Sequence, residues 1–182
     1  MKRNHRTSIL LIALAMIFST LTLSPANAAD TGYRYWGYFQ AAPGDKTWTM
    51  ASTGPTVVVS DGSVEGWVFT FSGDSVPDAA MPKRVPIFSR ICGATKVPAA
   101  GKKRIGLVVD FGSVILRPKG ETMPRSFTKC VVVDKNAIGL DVLQNRVKIR
   151  ADSSGLICAF NNYPAKECGA EIPTPYSLKP KK

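Results

Sequence analysis

Residues 33–40, with the sequence YRYWGYFQ, decide the fold of this chain of 182 residues. Five of these eight residues are aromatic, and their order alternates as in a β-strand, where successive side chains point to opposite faces. One face would carry Tyr33, Tyr35, Gly37 and Phe39, and the other Arg34, Trp36, Tyr38 and Gln40. Aromatic side chains pair across strands and fill the core of a sheet. We therefore predict a strand with at least one buried face.

The rest of the chain predicts a sheet with few helices. Apolar or β-branched runs between turn signals predict strands at residues 47–51, 56–60, 64–71, 104–111, 129–133 and 156–160. The strand at residues 33–40 and the next three, which end at residue 71, contain the turn signals PGD at 43–45 and DG at 61–62 between them. These four strands indicate an antiparallel meander. Residues 87–92 fit one helical turn, and residues 136–145 fit a short helix. The predicted fold class is α+β, a single β-rich domain with an antiparallel sheet, one short helix and two disulfides.

The first 28 residues have the features of an export signal. Lys2, Arg3 and Arg6 precede a mostly apolar run at residues 9–23, and Ala26-Asn27-Ala28 supplies a small-x-small cleavage pattern. A membrane anchor is the alternative, but a bilayer-spanning helix needs ~20 apolar residues. We predict cleavage after Ala28, a secreted or extracellular protein without a later transmembrane segment, a domain at 29–172 and a basic flexible tail at 173–182.

The predicted mature chain is strongly basic. Removal of three of the 24 Lys and Arg residues with the signal leaves 21 against 13 acidic residues, a net charge of +8. Outside the cell, this charge favours anionic envelope polymers, headgroups or acidic glycans as partners. Nucleic acid is excluded as a partner by the compartment rather than by the charge. Net charge favours solubility and association rather than a particular chemistry. An anionic envelope polymer is therefore one predicted partner.

Four cysteines in an exported chain predict disulfides. Four cysteines allow three pairings, and we favour Cys158–Cys168, which encloses a turn-forming NNYP segment, together with Cys92–Cys130. Zinc is the alternative, but neither spacing is C-x-x-C and the predicted mature chain contains no histidine. We predict two disulfides and no metal site.

Catalytic patterns are largely excluded. The single histidine, His5, lies in the predicted signal, which rules out Ser-His-Asp and Cys-His catalysis and His-based metal sites in the mature chain. Paired carboxylates, as in glycoside hydrolases, remain open; the candidates are Glu65, Asp110, Glu121 and Asp141. Asp110 ends an apolar strand, where hydrogen bonding to a turn is the commoner role. We predict that the protein is not an enzyme and needs no cofactor.

The aromatic residues are the best candidates for ligand contact. Stacking faces of this kind bind rings and sugars. The predicted ligand-binding residues are Tyr35, Trp36, Tyr38, Trp48 and Trp67. The alternative is that these rings fill the core, as aromatics in strands usually do. If the second face of residues 33–40 were exposed, Arg34, Trp36 and Tyr38 would form a basic-aromatic patch.

The motifs together resemble a known family. Their order is YRYWGYF, STGP, DGSVEGWVF, FSRIC, RIGLVVDFG, KCVVV, DVL and GLICAFNNYPAKECG. This series resembles a family of exported actinobacterial proteins of uncharacterised function, over nearly the whole chain after the signal. The resemblance implies no activity. Such proteins are often encoded beside energy-coupling-factor-type vitamin or metal-ion importers, which implies a role in uptake.

A second resemblance covers the two halves in swapped order. Asp141-Val142-Leu143 followed by GLICAFNNYP is similar to the front of the small β domain that ends transcobalamin and intrinsic factor. The segments YRYWGYF and DGSVEGWVF are similar to the back half of that domain, as in a circular permutation. The likeness implies that Tyr35, Trp36 and Tyr38 line a sheet whose face meets a corrinoid-like ligand.

We therefore expect an exported, non-enzymatic binding module that presents a small ligand, corrinoid-like or another vitamin or metal complex, to an importer. The alternative is an envelope-associated structural or interaction protein that docks on anionic cell-surface polymer. A carboxylate hydrolase using Asp110 or Glu65 is a third hypothesis.

Overall fold

The polypeptide folds around one mixed β-sheet. The structure is a computed structural model, and it describes residues 30–180; the predicted signal and its cleavage site lie outside these residues. The elements are β1 (Thr31–Ala41), β2 (Thr49–Met50), β3 (Val64–Gly73), α1 (Phe88–Cys92), β4 (Lys102–Asp110), β5 (Phe127–Asp134), α2 (Gly139–Gln144), β6 (Ile149–Ala151), β7 (Ile157–Phe160) and β8 (Ala170–Pro173). Short 3-10 helices lie at Val114–Leu116 and Tyr176–Leu178.

The main sheet has the strand order β2-β1-β3-β4-β5, and β8 pairs with the beginning of β1. The long pairing of β1 with β3 is antiparallel, as expected for two alternating strands joined through turns. Strands β3 and β4 pair in parallel, so the predicted all-antiparallel arrangement is corrected to a mixed sheet. The reason is the long connection between β3 and β4, which crosses over the sheet and contains α1; parallel neighbours need such a crossover.

Both faces of the sheet are covered, because β1 and β3 each carry apolar residues on both sides. The first core contains Trp36, Trp67, Phe69 and Phe160. The second contains Phe39, Val64, Val68 and Val108, with Phe88 and Ile91 of the α1 region packed against it. The predicted alternation of β1 is confirmed: Trp36 and Tyr38 lie against the first core, and Tyr35 and Phe39 against the second.

Two local predictions need correction. Residues 56–60 do not form a strand; Val58 forms only an isolated bridge with Ile138, and Val57 and Val58 are more than half exposed. A β-branched run forms a strand only where a neighbour supplies backbone partners, and here the neighbour is a loop. The described residues also contain two short helices rather than one, since the helical turn predicted at 87–92 is α1.

Both predicted disulfides are confirmed. Cys92 bonds to Cys130, which links the crossover helix α1 to β5, and Cys158 bonds to Cys168. The turn after β7 has the expected chemistry, because Asn161 and Asn162 both adopt positive φ.

The C-terminal residues pack against the start of the domain. The buried Thr174 donates a hydrogen bond to Asp30, and Lys179 forms a salt bridge with the same carboxylate. The predicted mobility of this tail stays a prediction. Among residues 30–180, no helix has both the length and the apolar character needed to cross a bilayer.

Candidate functional site

The candidate site lies at the carboxyl end of β4. Because β3 and β4 run in parallel, their carboxyl ends reach the same edge of the sheet. The chain turns sharply after β4 at Gly112, whose φ is +82°; a Cβ there would clash with the carbonyl oxygen of Phe69. Sites in open sheets with parallel strands often lie beyond the carboxyl ends of those strands. This edge, at the one parallel pair among the described strands, is therefore a candidate position for a ligand.

Asp110 holds the segments around this edge together. Its carboxylate accepts hydrogen bonds from the backbone N–H of Gly112 at 2.9 Å, from the backbone N–H of Lys83 at 2.9 Å and from Ser126 Oγ at 3.0 Å. The side chain is only 5% exposed. The turn-bonding role expected for this residue is confirmed, and Asp110 in addition fastens the crossover loop and the beginning of β5 to the end of β4.

An open cleft of about 650 Å³ lies over this edge and is called the basic cleft below. Its lining includes three exposed cations, Lys83, Arg84 and Arg125, and the hydroxyl residues Ser126 and Thr128. Within residues 30–180, none of the three cations forms a salt bridge with a carboxylate. Lys83 Nζ donates one hydrogen bond to the carbonyl oxygen of Gly112 at 3.3 Å. The volume lies in the range of ordinary ligand pockets.

The three predicted tryptophan contacts are buried. Trp36 and Trp67 lie in the first core, 6% and 2% exposed, and Trp48 lies in the second. Trp48 also supports the basic cleft, because its Nε1 donates to the carbonyl oxygen of Arg84 at 2.9 Å. The ring of Trp48 packs over Gly66, where a Cβ would approach it to 2.6 Å. The tryptophans do not meet on one open face.

The two predicted tyrosine contacts are partly buried and lie on opposite faces of β1. Tyr38 stacks on Trp67, its register partner, with ring centroids 4.4 Å apart. Tyr35 Oη and Ser72 Oγ lie 3.1 Å apart and form a hydrogen bond. The expected basic-aromatic patch does not form, because Arg34 is bound to Glu167 by two hydrogen bonds and Trp36 is in the core. A ligand role for the five aromatic residues stays a prediction.

A buried carboxylate lies on the same face as Tyr38. Glu65 is 1% exposed and accepts hydrogen bonds from Tyr38 Oη, from Gln40 Nε2 at 3.1 Å and from Ser63 Oγ at 3.3 Å. Burial raises the pKa of Glu65, and these three donors together with the charge of Lys103 offset part of the increase. Burial and the neighbouring Glu65 also raise the pKa of Tyr38. These side chains meet because the register of β1 and β3 sets Gln40 opposite Glu65.

The remaining candidate carboxylates, Glu121 and Asp141, accept hydrogen bonds from backbone N–H groups. Glu121 accepts hydrogen bonds from the N–H of Ala165, and Asp141 accepts one from the N–H of Ile138 at the beginning of α2. One group of possible metal ligands occurs in the described ranges, Asp152 with Cys158 and Cys168. Both sulfur atoms of that group are consumed by the disulfide, so it offers no thiolate to a metal.

The sequence reasoning missed the cations of the basic cleft. They come from two segments interpreted as loops, Met81-Pro82-Lys83-Arg84 and Met123-Pro124-Arg125. The repeated Met-Pro-basic pattern was the available signal. The fold brings the two segments to one cleft through the hydrogen bonds of Asp110, which no local pattern reveals.

These observations define a β-rich domain with two disulfides, a mixed sheet and an open basic cleft. The family model of the SCO2322-like domain matches residues 28–173, and the chain therefore belongs to this family of uncharacterised proteins. No curated protein and no solved structure gives a significant match to the chain.

Proposed function

We propose that this protein is an exported, non-enzymatic binding module that holds a small anionic ligand in the basic cleft. The observation that carries the proposal is the convergence of Lys83, Arg84 and Arg125 on one open cleft without a carboxylate partner among the described residues. Guanidinium and ammonium groups bind carboxylates and phosphates through charge-assisted hydrogen bonds.

The rest of the lining supports an anion rather than a cation. Ser126 and Thr128 add hydroxyl groups that donate to anionic oxygens. Asp110, the acidic residue of the lining, uses its carboxylate oxygens on Gly112, Lys83 N and Ser126. Because that carboxylate is engaged with neutral donors and lies below the surface, the cleft presents an excess of positive charge.

A non-catalytic role is supported by what the ionisable groups do. The chain after residue 28 has no imidazole, and the carboxylates of Glu65, Asp110, Glu121 and Asp141 all accept hydrogen bonds from the protein itself. A hydrolase of the two-carboxylate type needs a free acid and a free base facing one another across a cleft. The basic cleft is lined by one carboxylate, that of Asp110.

The family resemblances refine the ligand and the setting of the proposal. The likeness to exported actinobacterial proteins that are often encoded beside importers supports presentation of the ligand to an importer component. The likeness to the terminal domain of transcobalamin and intrinsic factor makes a corrinoid-like compound with a phosphate or carboxylate group one candidate. With the indoles buried, such a compound would contact the basic cleft rather than an aromatic platform.

Docking on anionic envelope polymer is the second candidate function, and the net charge of +8 after residue 28 favours it. The two functions differ in which cations of the protein contribute to binding. A polymer that responds to overall charge is released by the loss of any exposed cations and by added salt. A ligand in the basic cleft depends on the cations that line it.

The test is a titration of the oxidised mature chain, monitored by amide chemical shifts in two-dimensional NMR. The probes are inorganic phosphate, acetate, cobalamin and cobinamide. The test variant is Lys83→Gln/Arg125→Gln, and the matched control is Lys46→Gln/Lys166→Gln, which removes two exposed cations that do not line the cleft. We expect at least one anionic probe to shift the amides of Gly112 and Thr128, and the test variant to bind it about tenfold more weakly.

Equal weakening in the test and control variants would support the polymer-docking function and overturn the cleft. The cleft is also overturned if every probe leaves its amides unshifted at millimolar concentration. Retention of wild-type affinity by the control, together with the loss in the test variant, supports the proposal.

A further inference from the structure

A second cavity adjoins the basic cleft, and it is apolar. Its volume is about 190 Å³, and we call it the apolar pocket. Strand β4 ends at Asp110, opposite Val68, whereas β3 continues to Gly73, so the last part of β3 has no strand partner on that side. The apolar pocket lies along this free edge. Its walls include Phe69, Phe71, Val76, Met81, Leu116 and Leu178.

The two cavities meet at Lys83. Lys83, Asp110 and Gly112 line both spaces. The N–H of Lys83 is fixed on Asp110, and its Nζ reaches the carbonyl oxygen of Gly112 at 3.3 Å, so the ammonium group lies at the boundary. A ligand whose anionic group pairs with Lys83 would therefore have its nearest uncharged part at the entrance of the apolar pocket.

Most of the residues that line the apolar pocket are apolar or small, and the lining residue Thr70 is 1% exposed. The size is adequate for a small group, since an apolar cavity of ~150 Å³ accepts benzene.

We propose that the ligand is a small amphiphilic anion, with a carboxylate or phosphate on Lys83 and Arg125 and a short apolar arm in the apolar pocket. This inference rests on the proposed function, because it assigns the ligand class of the same cleft. Neither cavity alone selects such a ligand. The basic cleft binds the anionic group, and the apolar pocket favours ligands that have an apolar arm over ligands that lack one.

The test compares pairs of probes with the same head and different arms. One pair is methyl phosphate and hexyl phosphate, and the other is acetate and hexanoate. Comparison of the two pairs shows whether the cleft prefers a phosphate or a carboxylate head. Each methylene that enters an apolar site is worth about fourfold in affinity. Because the arm loses freedom on binding, we expect a total gain of at least about tenfold for the longer member of the preferred pair.

The variant Ala80→Leu fills the apolar pocket from an exposed position in its lining, and Ala94→Leu is the matched control at an exposed position outside it. We expect Ala80→Leu to weaken hexyl phosphate or hexanoate about fivefold or more and to leave the short probe unchanged. Amide shifts at Thr70 and Val76 should accompany the long probe only. Circular dichroism and melting temperature verify that Ala80→Leu is folded.

The two levels of the proposal fail differently. If the short and long probes bind the basic cleft equally well, or if Ala80→Leu has no effect on a long probe that binds more tightly, the apolar-arm inference is overturned and the anion-binding function stands. If neither member of either pair shifts amides of the cleft, both are overturned.

Discussion

At the scale of single residues, Lys103 is the side chain on which two loops depend. It is 5% exposed, and its Nζ donates to the carbonyl oxygens of Val59, Lys135 and Ala137. Burial lowers the pKa of Lys103, while the charges of Asp61, Glu65 and Asp141 act in the opposite direction. The ammonium group therefore fastens residues 57–59 and 135–138 over the amino end of β4.

We predict that Lys103→Met lowers the free energy of unfolding by about 3 kcal/mol, because three carbonyl groups lose a charged donor. The neighbouring Lys102→Met removes a salt bridge to Asp134 between exposed side chains and should cost about 0.5 kcal/mol or less. Urea denaturation of both variants, followed by circular dichroism, measures the difference. Equal costs for the two lysines would contradict the role assigned to Lys103.

The sequence could not distinguish these two lysines. The segment Lys102-Lys103-Arg104 has the appearance of a solvated basic run, and alternation in β4 states only that Lys103 and Ile105 share a face. The burial of Lys103 follows from two loops that are distant in sequence and close over it. Alternation in β3 states that Glu65 shares a face with Trp67, but the partners of Glu65, Tyr38 and Gln40, follow from the strand register.

At the scale of elements, the crossover between β3 and β4 is held by a disulfide. Cys92 ends α1 and is bonded to Cys130 in β5, with 38 residues of separation, whereas Cys158 and Cys168 are separated by 10. The chain-entropy account gives about 4 kcal/mol for the longer loop and about 3 kcal/mol for the shorter one. The crossover bridge should therefore contribute more to stability.

We predict that Cys92→Ala/Cys130→Ala lowers the free energy of unfolding more than Cys158→Ala/Cys168→Ala does. Alanine is preferred to serine because Cys92 and Cys158 are buried, and a hydroxyl would lack a partner there. Guanidinium denaturation of each double variant under identical conditions gives the order. A larger loss from the Cys158–Cys168 pair would show that the shorter bridge stabilises the native fold by contacts rather than by restricting the unfolded chain.

Sequence periodicity identified most elements of the sheet but not their pairing. Strands β1, β3, β4 and β5 have clear apolar or alternating patterns and lie where they were predicted. The parallel pairing of β3 with β4 was missed because the connection contains several prolines, and the single turn of α1 gives little signal for a crossover. The three-residue β6 and the four-residue β8 were missed because their short, mixed sequences become strands only beside β7 and β1.

At the scale of the whole molecule, Asp30 and Glu65 contribute with opposite sign to the dependence of stability on pH. Hydrogen bonds from Lys179, Ser75 and Thr174 lower the pKa of Asp30 below its ordinary value of 3.8. The folded state therefore favours the charged form, and this stabilisation is lost as the pH falls through the lowered pKa. Glu65 acts in the opposite sense, because burial raises its pKa above the ordinary 4.5. Its contribution is complete below pH 4.5 and is lost as the pH rises through the raised value.

We predict that Glu65→Gln stabilises the protein relative to wild type increasingly as the pH rises from 4.5 towards neutrality. Glutamine keeps the shape and the acceptor for Tyr38 Oη, and it removes the cost of an ionised carboxylate that is 1% exposed. The measured quantity is the difference in melting temperature between variant and wild type across this range, in which other titrating groups cancel. Glu171→Gln, at an exposed position in β8, is the matched control for removal of one carboxylate from the protein. A difference for Glu65→Gln that does not change with pH would contradict the prediction, and it would mean that the three donors and the charge of Lys103 offset the whole cost of burial.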